Sequence, residues 1–190
     1  MIAVVMAGGK ASRFSKRVEK AVLRIGSKTL LERSIEALQD AGMKRVLVAA
    51  TPHTPETQGL ARDLSAEIVL TAGKGYHDDV VQLLNNYGPV ISLNVDVPFV
   101  RAEHVRRIAS EGSKGSVAAV VPLELGMGAT DMDSGLEDSM GRRMIWIGLN
   151  HVTLNPDNLL VEFEDPFLTI NVNNEDDLDF ARRVAAEKGI

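Results

Sequence analysis

Short apolar runs recur along this chain too far apart for hairpins, and helical spacing fills the gaps between them. Residues 2–6, 46–50, 67–70, 89–93 and 116–121 read as buried strands. Between the first two, Leu30, Leu31, Ile35 and Leu38 form one helical face. It opens at Thr29 with Glu32 at capping-box spacing and stops at Gly42. Further helices are expected over 56–64, 78–85 and 102–110. Strands alternating with helices of this length require crossover connections, so the pattern predicts a three-layer, Rossmann-like α/β fold with a mostly parallel central sheet and helices on both faces.

After Pro122 the alternation stops. Residues 123–143 are rich in Gly, Met and acids without a clear period, and read as an irregular excursion or a partner-facing segment. Further strands are expected over 145–148, 151–154 and 167–172. A last helix opens at Asn173 or Asn174, with Glu175, Asp176 and Asp177 in the first turn, where acids suit the helix dipole. Nothing marks a domain boundary, and 190 residues suit one domain, 1–190.

The chain has no Cys, which removes thiol catalysis and thiolate metal sites and fits a cytoplasmic protein. No apolar run approaches the roughly 18 residues of a membrane span, and the first residues do not read as a signal peptide. The net charge of −5 with 4% aromatics argues against a nucleic-acid partner. That charge is uneven. Residues 1–31 hold seven Lys or Arg against the single acid Glu19, a net +6, while the remainder carries 14 cations against 25 acids, a net −11. A basic segment on an acidic body marks an anion site, a flexible arm or a solvated surface.

The basic segment follows the first strand as Met6-Ala7-Gly8-Gly9-Lys10-Ala11-Ser12-Arg13, with Lys20 further on. Glycines directly after a buried strand let backbone N–H groups approach a polyphosphate. Arg13, as a planar fork, and Lys20, as a mobile point charge, suit its neutralisation. Two better-known phosphate loops fail on spacing. Gly26-Ser27-Lys28-Thr29 lacks the upstream Gly of a Walker loop, and Gly8-Gly9 is an adjacent pair where the dinucleotide fingerprint needs three spaced glycines. Asp96, after the strand at 89–93 and before Pro98, puts a carboxylate at the sheet edge where open α/β folds bind ligands. It suits either a turn or a hard cation.

Ala-Gly-Gly, then Arg13, then Lys20 behind an N-terminal strand resembles the nucleotidyltransferases of the glycosyltransferase-A-like fold, and within them the MobA-like family. That resemblance implies transfer of a nucleoside monophosphate from an NTP to a phosphate. Ala7, Gly8, Gly9 and Lys10 would cradle the triphosphate, Arg13 and Lys20 would stabilise its charge, and Asp96 would hold Mg²⁺ as cofactor. Family members usually carry Lys-Pro where this chain has Lys20-Ala21.

Two further loops narrow the resemblance. Thr51-Pro52-His53-Thr54-Pro55 follows the second strand, and Thr71-Ala72-Gly73-Lys74-Gly75-Tyr76-His77-Asp78-Asp79 follows the third. With Gly148-Leu149-Asn150 and Ile170-Asn171-Val172-Asn173, they are similar to the archaeal GTP:adenosylcobinamide-phosphate guanylyltransferases. This implies GTP and adenosylcobinamide-phosphate as partners. Thr51, Thr54, Thr71, Gly73 and Gly75 would lie around the nucleotide, and Gly148 and Asn171 on the acceptor side. Asp79, or Asp78, suits a guanine edge or a helix cap. Alternatives are a molybdenum-cofactor or sugar-phosphate nucleotidyltransferase, or a noncatalytic nucleotide-binding module.

The remaining features read as packing or surface. His53, His77, His104 and His151 lack metal-ligand spacing. Asp131-Met132-Asp133-Ser134-Gly135 lacks the acid and Gly of a calcium loop. Ser12 and Ser15 have no triad partners at recognisable spacing. Met127, Met132, Met140 and Met144 suit adaptable packing, a large acceptor, or the second copy of a homodimer.

Overall fold

The strands that the alternation predicts converge on one twisted sheet. The computed structural model describes residues 1–9, 11, 13–15, 18–127, 135–155 and 158–190. Its strands are β1 (Ile2–Met6), β2 (Arg24–Ile25), β3 (Lys28–Thr29), β4 (Arg45–Ala50), β5 (Glu67–Leu70), β6 (Val90–Asn94), β7 (Ser116–Pro122), β8 (Leu136–Glu137), β9 (Arg143–Val152) and β10 (Asn158–Glu162). The main sheet runs β10-β7-β9-β6-β1-β4-β5, with β8 added to β9, while β2 and β3 form a separate small hairpin. β1 pairs in parallel with β4 and β6, β4 with β5, and β7 with β10. β9 is inserted antiparallel between β6 and β7.

Side-chain alternation along β1 explains the layers. Ala3 and Val5 point into one core with Leu30, Leu31, Ile35 and Leu38 of α1 (Leu30–Asp40), Ala61 of α2 (Pro55–Asp63), and apolar residues of α4 (Ala102–Glu111) and α5 (Glu175–Lys188). Val4 points the other way, where Val80, Leu83 and Leu84 of α3 (Tyr76–Tyr87) pack on Leu47, Ala49, Val69 and Val90. A period of two buried on both sides is what a doubly covered parallel strand requires. Among the described residues no helix is long and apolar enough to cross a membrane.

The capping box at Thr29 is formed. Thr29 Oγ1 accepts the Glu32 N–H at 3.1 Å, and Glu32 Oε2 accepts the Thr29 N–H at 2.6 Å. These bonds hold the Glu32 carboxyl below its ordinary range.

Several expectations change. The stretch 167–172 is not a strand. Asp165 accepts the Phe167 N–H at 3.0 Å and turns Pro166–Thr169 into a short 3-10 helix, after which Ile170 and Val172 are buried without joining the sheet. The strands expected at 145–148 and 151–154 are one strand, β9, because Gly148 takes a left-handed φ of +81° inside a bulge opposite Ala118 and Val120. β10 and the β2–β3 hairpin were not foreseen. The excursion after Pro122 contains β8 and a turn in which Asp138 accepts the N–H groups of Met140 and Arg142. Asp131, Met132, Asp133 and Ser134 lie outside the described residues.

Two predictions concern stability. Thr29→Ala removes a cap that satisfies helix N–H groups, and urea titration should show a loss of about 1 kcal/mol. His104 is buried, its Nδ1 accepts the Arg101 N–H at 3.0 Å, and burial pushes its imidazole below the ordinary 6.5 despite nearby Asp165. The unfolded chain therefore takes up this proton first as pH falls below 6.5, and stability declines with it. Thermal melts between pH 7 and 5.5 should show Tm falling, with a shallower fall in His104→Asn.

Candidate active site

The in-register parallel pairing brings the loops after β1, β4 and β6 to one edge, where a cleft of about 400 Å³ opens. It is lined by Ala7, Gly8 and Gly9 after β1, by Gly73, Lys74, Gly75, Tyr76 and Asp79 after β5, by Asn94 and Asp96 at the end of β6, and by Lys20. Residues distant in sequence are thus neighbours, and the structure shows what keeps them so.

Gly8 and Gly73 are small for the same reason. A Cβ on Gly8 would stand 2.7 Å from Thr51 Cγ2, and one on Gly73 would stand 2.9 Å from the same methyl. Thr51 is therefore a wedge between the loops after β1 and β5. Where a Cβ of Gly9 would be, no heavy atom of a described residue lies within 4 Å, so that side of the second glycine is open whereas the same side of the first is filled by Thr51. The hydroxyls of Thr51, Thr54 and Thr71 are engaged within the loops. All three residues are buried. Thr54 Oγ1 accepts the Thr51 N–H and donates to the Thr51 carbonyl, both at 3.0 Å, Thr51 Oγ1 accepts the His53 N–H at 3.3 Å, and Thr71 Oγ1 donates to the Ala50 carbonyl at 3.4 Å. These side chains shape the loops from within. Asp79 behaves similarly. It is buried, and its Oδ1 accepts the Gly73 N–H at 3.0 Å.

Lys20 is held by the acid before it. Glu19, the one acid of the basic segment, is buried, and its carboxylate accepts the N–H groups of Glu56 at 3.0 Å and Thr57 at 2.6 Å and the Thr57 hydroxyl at 2.6 Å. It caps α2 from outside the helix, and sequence spacing offers no signal for such a cap across 37 residues. Lys20 then begins a 3-10 turn, Lys20–Val22, with Ala21 buried. Its Nζ donates to Asp96 Oδ2 and to Asn173 Oδ1, each at 2.7 Å. The Val172 N–H donates to the Asp96 carbonyl at 2.8 Å, which fastens the stretch before α5 to the end of β6.

The other expected residues separate. Arg13 is exposed, does not line the cleft, and makes no hydrogen bond or ion pair with a described residue. Lys10 lies outside the described residues. Ser15 ties the same loop to α5, donating from N and Oγ to Glu175 Oε1 at 2.7 and 2.6 Å, and the bonds hold that carboxyl below its ordinary range. Asn173, Asn94, Lys74 and Tyr76 belong to the site without having been assigned to it. The alternation of Asn171 and Asn173 was the available signal for the first of these.

Asp96 Oδ1 and Asn94 Oδ1, on residues that line the cleft, are buried without a hydrogen-bond partner among the described residues, and so is Asn171 Oδ1, one residue before the Val172 N–H that bonds the Asp96 carbonyl. Among the described residues no cluster of three His, Cys, Asp or Glu is present. One carboxylate with neutral oxygens and room for a ligand's phosphates fits Mg²⁺, which rarely takes an all-protein cage.

A second cleft of about 420 Å³ adjoins the first and shares Asn94 and Tyr76 with it. Val80, Ala118, Trp146, Gly148 and Asn150 contribute to its walls. Gly148 sits where a Cβ would stand 2.7 Å from Asn94 Nδ2, so the glycine in the β9 bulge leaves room for the Asn94 side chain, which both clefts share.

Residues 3–129 match the family model described as MobA-like NTP transferase domain. Curated relatives include the bifunctional protein GlmU of Synechococcus elongatus, 26% identical over 64% of this chain, and that of Cereibacter sphaeroides, 28% identical over 62%. The chain spans only 28% and 27% of those proteins. Among solved structures, a nucleotidyl transferase from Methanothermobacter superposes with a TM-score of 0.69 over 98% of both chains at 18% identity. A CMP:2-keto-3-deoxy-manno-octonic acid synthetase complexed with CTP superposes with the same score at 15% identity, over 98% of this chain and 99% of that one. These structural likenesses extend the shared fold over nearly the whole chain.

The wedge at Thr51 yields a double-mutant test. Gly8→Ala should destabilise by about 1–3 kcal/mol through overpacking, and Thr51→Ser in that background, lacking the methyl, should restore most of the loss in urea unfolding.

Proposed function

The chain belongs to the MobA-like NTP transferase family, and from that premise we propose that it transfers guanylyl from GTP to the phosphate of adenosylcobinamide-phosphate. The observation that carries the reading is the Lys20 ammonium, 2.7 Å from Asp96 and 2.7 Å from Asn173 beside the Gly8-Gly9 turn. A cation, a carboxylate and open backbone around one cleft suit a metal-bound triphosphate. The choice of GTP and of a corrinoid acceptor rests on the likeness of the loops at 51–55, 73–79, 148–150 and 170–173. The adjoining cleft, with Trp146 and apolar strand residues, offers a large acceptor room.

In this mechanism an oxygen of the acceptor's phosphate attacks the α-phosphorus of GTP. The bond from that phosphorus to the bridging oxygen breaks, and pyrophosphate leaves with the electron pair. The acceptor enters as an anion, so no enzyme base is required, and catalysis rests on positioning and electrostatics. The backbone of Gly8 and Gly9, which lines the cleft, receives the β- and γ-phosphates. Lys20 turns one of its hydrogen bonds toward the phosphate oxygens as charge moves onto the leaving group. Asp96, with the oxygens of Asn94 and Asn171, would hold Mg²⁺, which supplies further neutralisation of the phosphates when bound.

Pyrophosphate release with GTP, Mg²⁺ and adenosylcobinamide-phosphate tests the reading, with CTP, UTP and ATP as donor controls and sugar phosphates and molybdopterin as acceptor controls. Lys20→Ala should lower kcat/KM by about 10²–10³-fold, since a positioned cation on such a transition state contributes roughly 3–4 kcal/mol. Unchanged turnover in that variant refutes the assignment of Lys20. Preference for another donor or acceptor redirects the substrate assignment within the family.

A further inference from the structure

The stretch between β5 and α3 crosses the sheet edge from the nucleotide cleft to its neighbour. At its start the Thr71 N–H donates to the Ala50 carbonyl at 2.9 Å, at the end of β4. Gly73 then packs on Thr51. At its end the Tyr76 hydroxyl reaches Ser92 of β6 and Asn150 of β9, each at 3.1 Å. The crossing is braced along its length. Gln82 accepts the Ala72 N–H at 3.3 Å and donates to the Leu70 carbonyl at 2.9 Å, and Asp79 accepts the Gly73 N–H at 3.0 Å.

One side chain in this braced stretch is left over. Lys74 lines the nucleotide cleft but forms no hydrogen bond or ion pair with any described residue. Lys20, the other Lys or Arg that lines that cleft among the described residues, is already paired with Asp96. Two residues beyond Lys74, Tyr76 belongs to both clefts. An exposed ammonium without a described partner therefore lines the nucleotide cleft, two residues before a side chain that both clefts share. Holding a loop in place before a ligand arrives lowers the entropy lost on binding, and such bracing serves a contact that the free protein does not itself make.

We infer that Lys74 holds the phosphate of the acceptor, a second cation-to-phosphate contact that completes the transfer site. This rests on the phosphate-acceptor reading given above. Two phosphate anions must approach one another for the bond to the α-phosphorus to form, and they repel each other as they do so. The Lys74 ammonium neutralises the attacking group while leaving its oxygen lone pairs free. As an oxygen bonds to the α-phosphorus, the bond to the leaving pyrophosphate breaks and that group carries the electron pair away. Lys74 stays protonated throughout. A flexible point charge suits this contact, because the attacking group moves toward the α-phosphorus during the step.

Steady-state kinetics of Lys74→Ala and Lys74→Arg in the full chain, with GTP and adenosylcobinamide-phosphate, separates the possibilities. In Lys74→Ala the acceptor's KM should rise about tenfold or more and kcat/KM for the acceptor should fall about 10–100-fold. GTP affinity by calorimetry should stay within twofold, and Lys74→Arg should recover part of the loss. An unchanged acceptor KM, or a loss confined to GTP affinity, overturns the assignment of Lys74 while the transferase reading stands. If the wild-type chain uses another phosphorylated acceptor, the corrinoid reading fails and Lys74 is tested with that acceptor by the same criteria. A wild-type chain inert with every phosphorylated acceptor overturns both.

Discussion

The level at which the central strands end governs everything built on them. Met6 pairs with Ala49 on one side and with Asn94 on the other, so β1, β4 and β6 stop at the same height. Two residues further along each strand are Gly8, Thr51 and Asp96. A slip of one residue in either pairing would turn every side chain of a strand to the opposite layer, and burial on both faces forbids it. Register thereby delivers the glycine turn, the wedge and the carboxylate to one place before any of them interacts with another.

What the strands bring together, a few polar side chains then hold. The Lys20–Asp96 pair is largely shielded, with side chains 14% and 17% exposed. Removing such charges from water is unfavourable unless hydrogen bonds replace the lost hydration. Asn173 supplies one such bond, while Asp96 Oδ1 is left without one. The arrangement is thus incomplete as a structural ion pair, and an oxygen buried without a partner is what an incoming cation would satisfy. Around the pair, Glu19 ties the loop after β1 to α2, and Ser15 ties it to α5. At Ser15 and Glu19 the basic segment is thereby stitched to two helices. Two further described cations of the segment are engaged elsewhere. Lys28 pairs with Glu36 at the surface, and Arg24 bonds the Ser27 carbonyl in the hairpin turn.

Legibility in the sequence followed the range of the interactions. The capping box at Thr29 and the cap of α5 at Asn174 depend on residues three apart, and both were visible. The buried strands were visible because doubly covered strands leave unbroken apolar runs. The stretch at 167–172 misled because apolar residues at alternate positions, Leu168, Ile170 and Val172, look like a strand whether or not a partner strand is present. β9 misled in the opposite sense, because Gly148 looks like a break when it is a bulge. Gly8, Gly9, Lys20 and Asp96, singled out from the sequence, line one cleft. Thr51, Thr54 and Thr71, which the resemblance put around the nucleotide, have hydroxyls that bond within the loops.

The amino-acid sequence alone determined an alternating α/β chain whose first strand runs into a basic glycine turn, because those properties reside in neighbouring residues. Tertiary structure alone decided that Glu19 caps a helix, that one methyl of Thr51 dictates two glycines, and that Asn173 bonds Lys20 across 153 residues. It also decided that Lys74 lines the nucleotide cleft without a partner among the described residues. Each of these depends on which strand lies beside which, and an order of β10-β7-β9-β6-β1-β4-β5 is written in no local window of the chain.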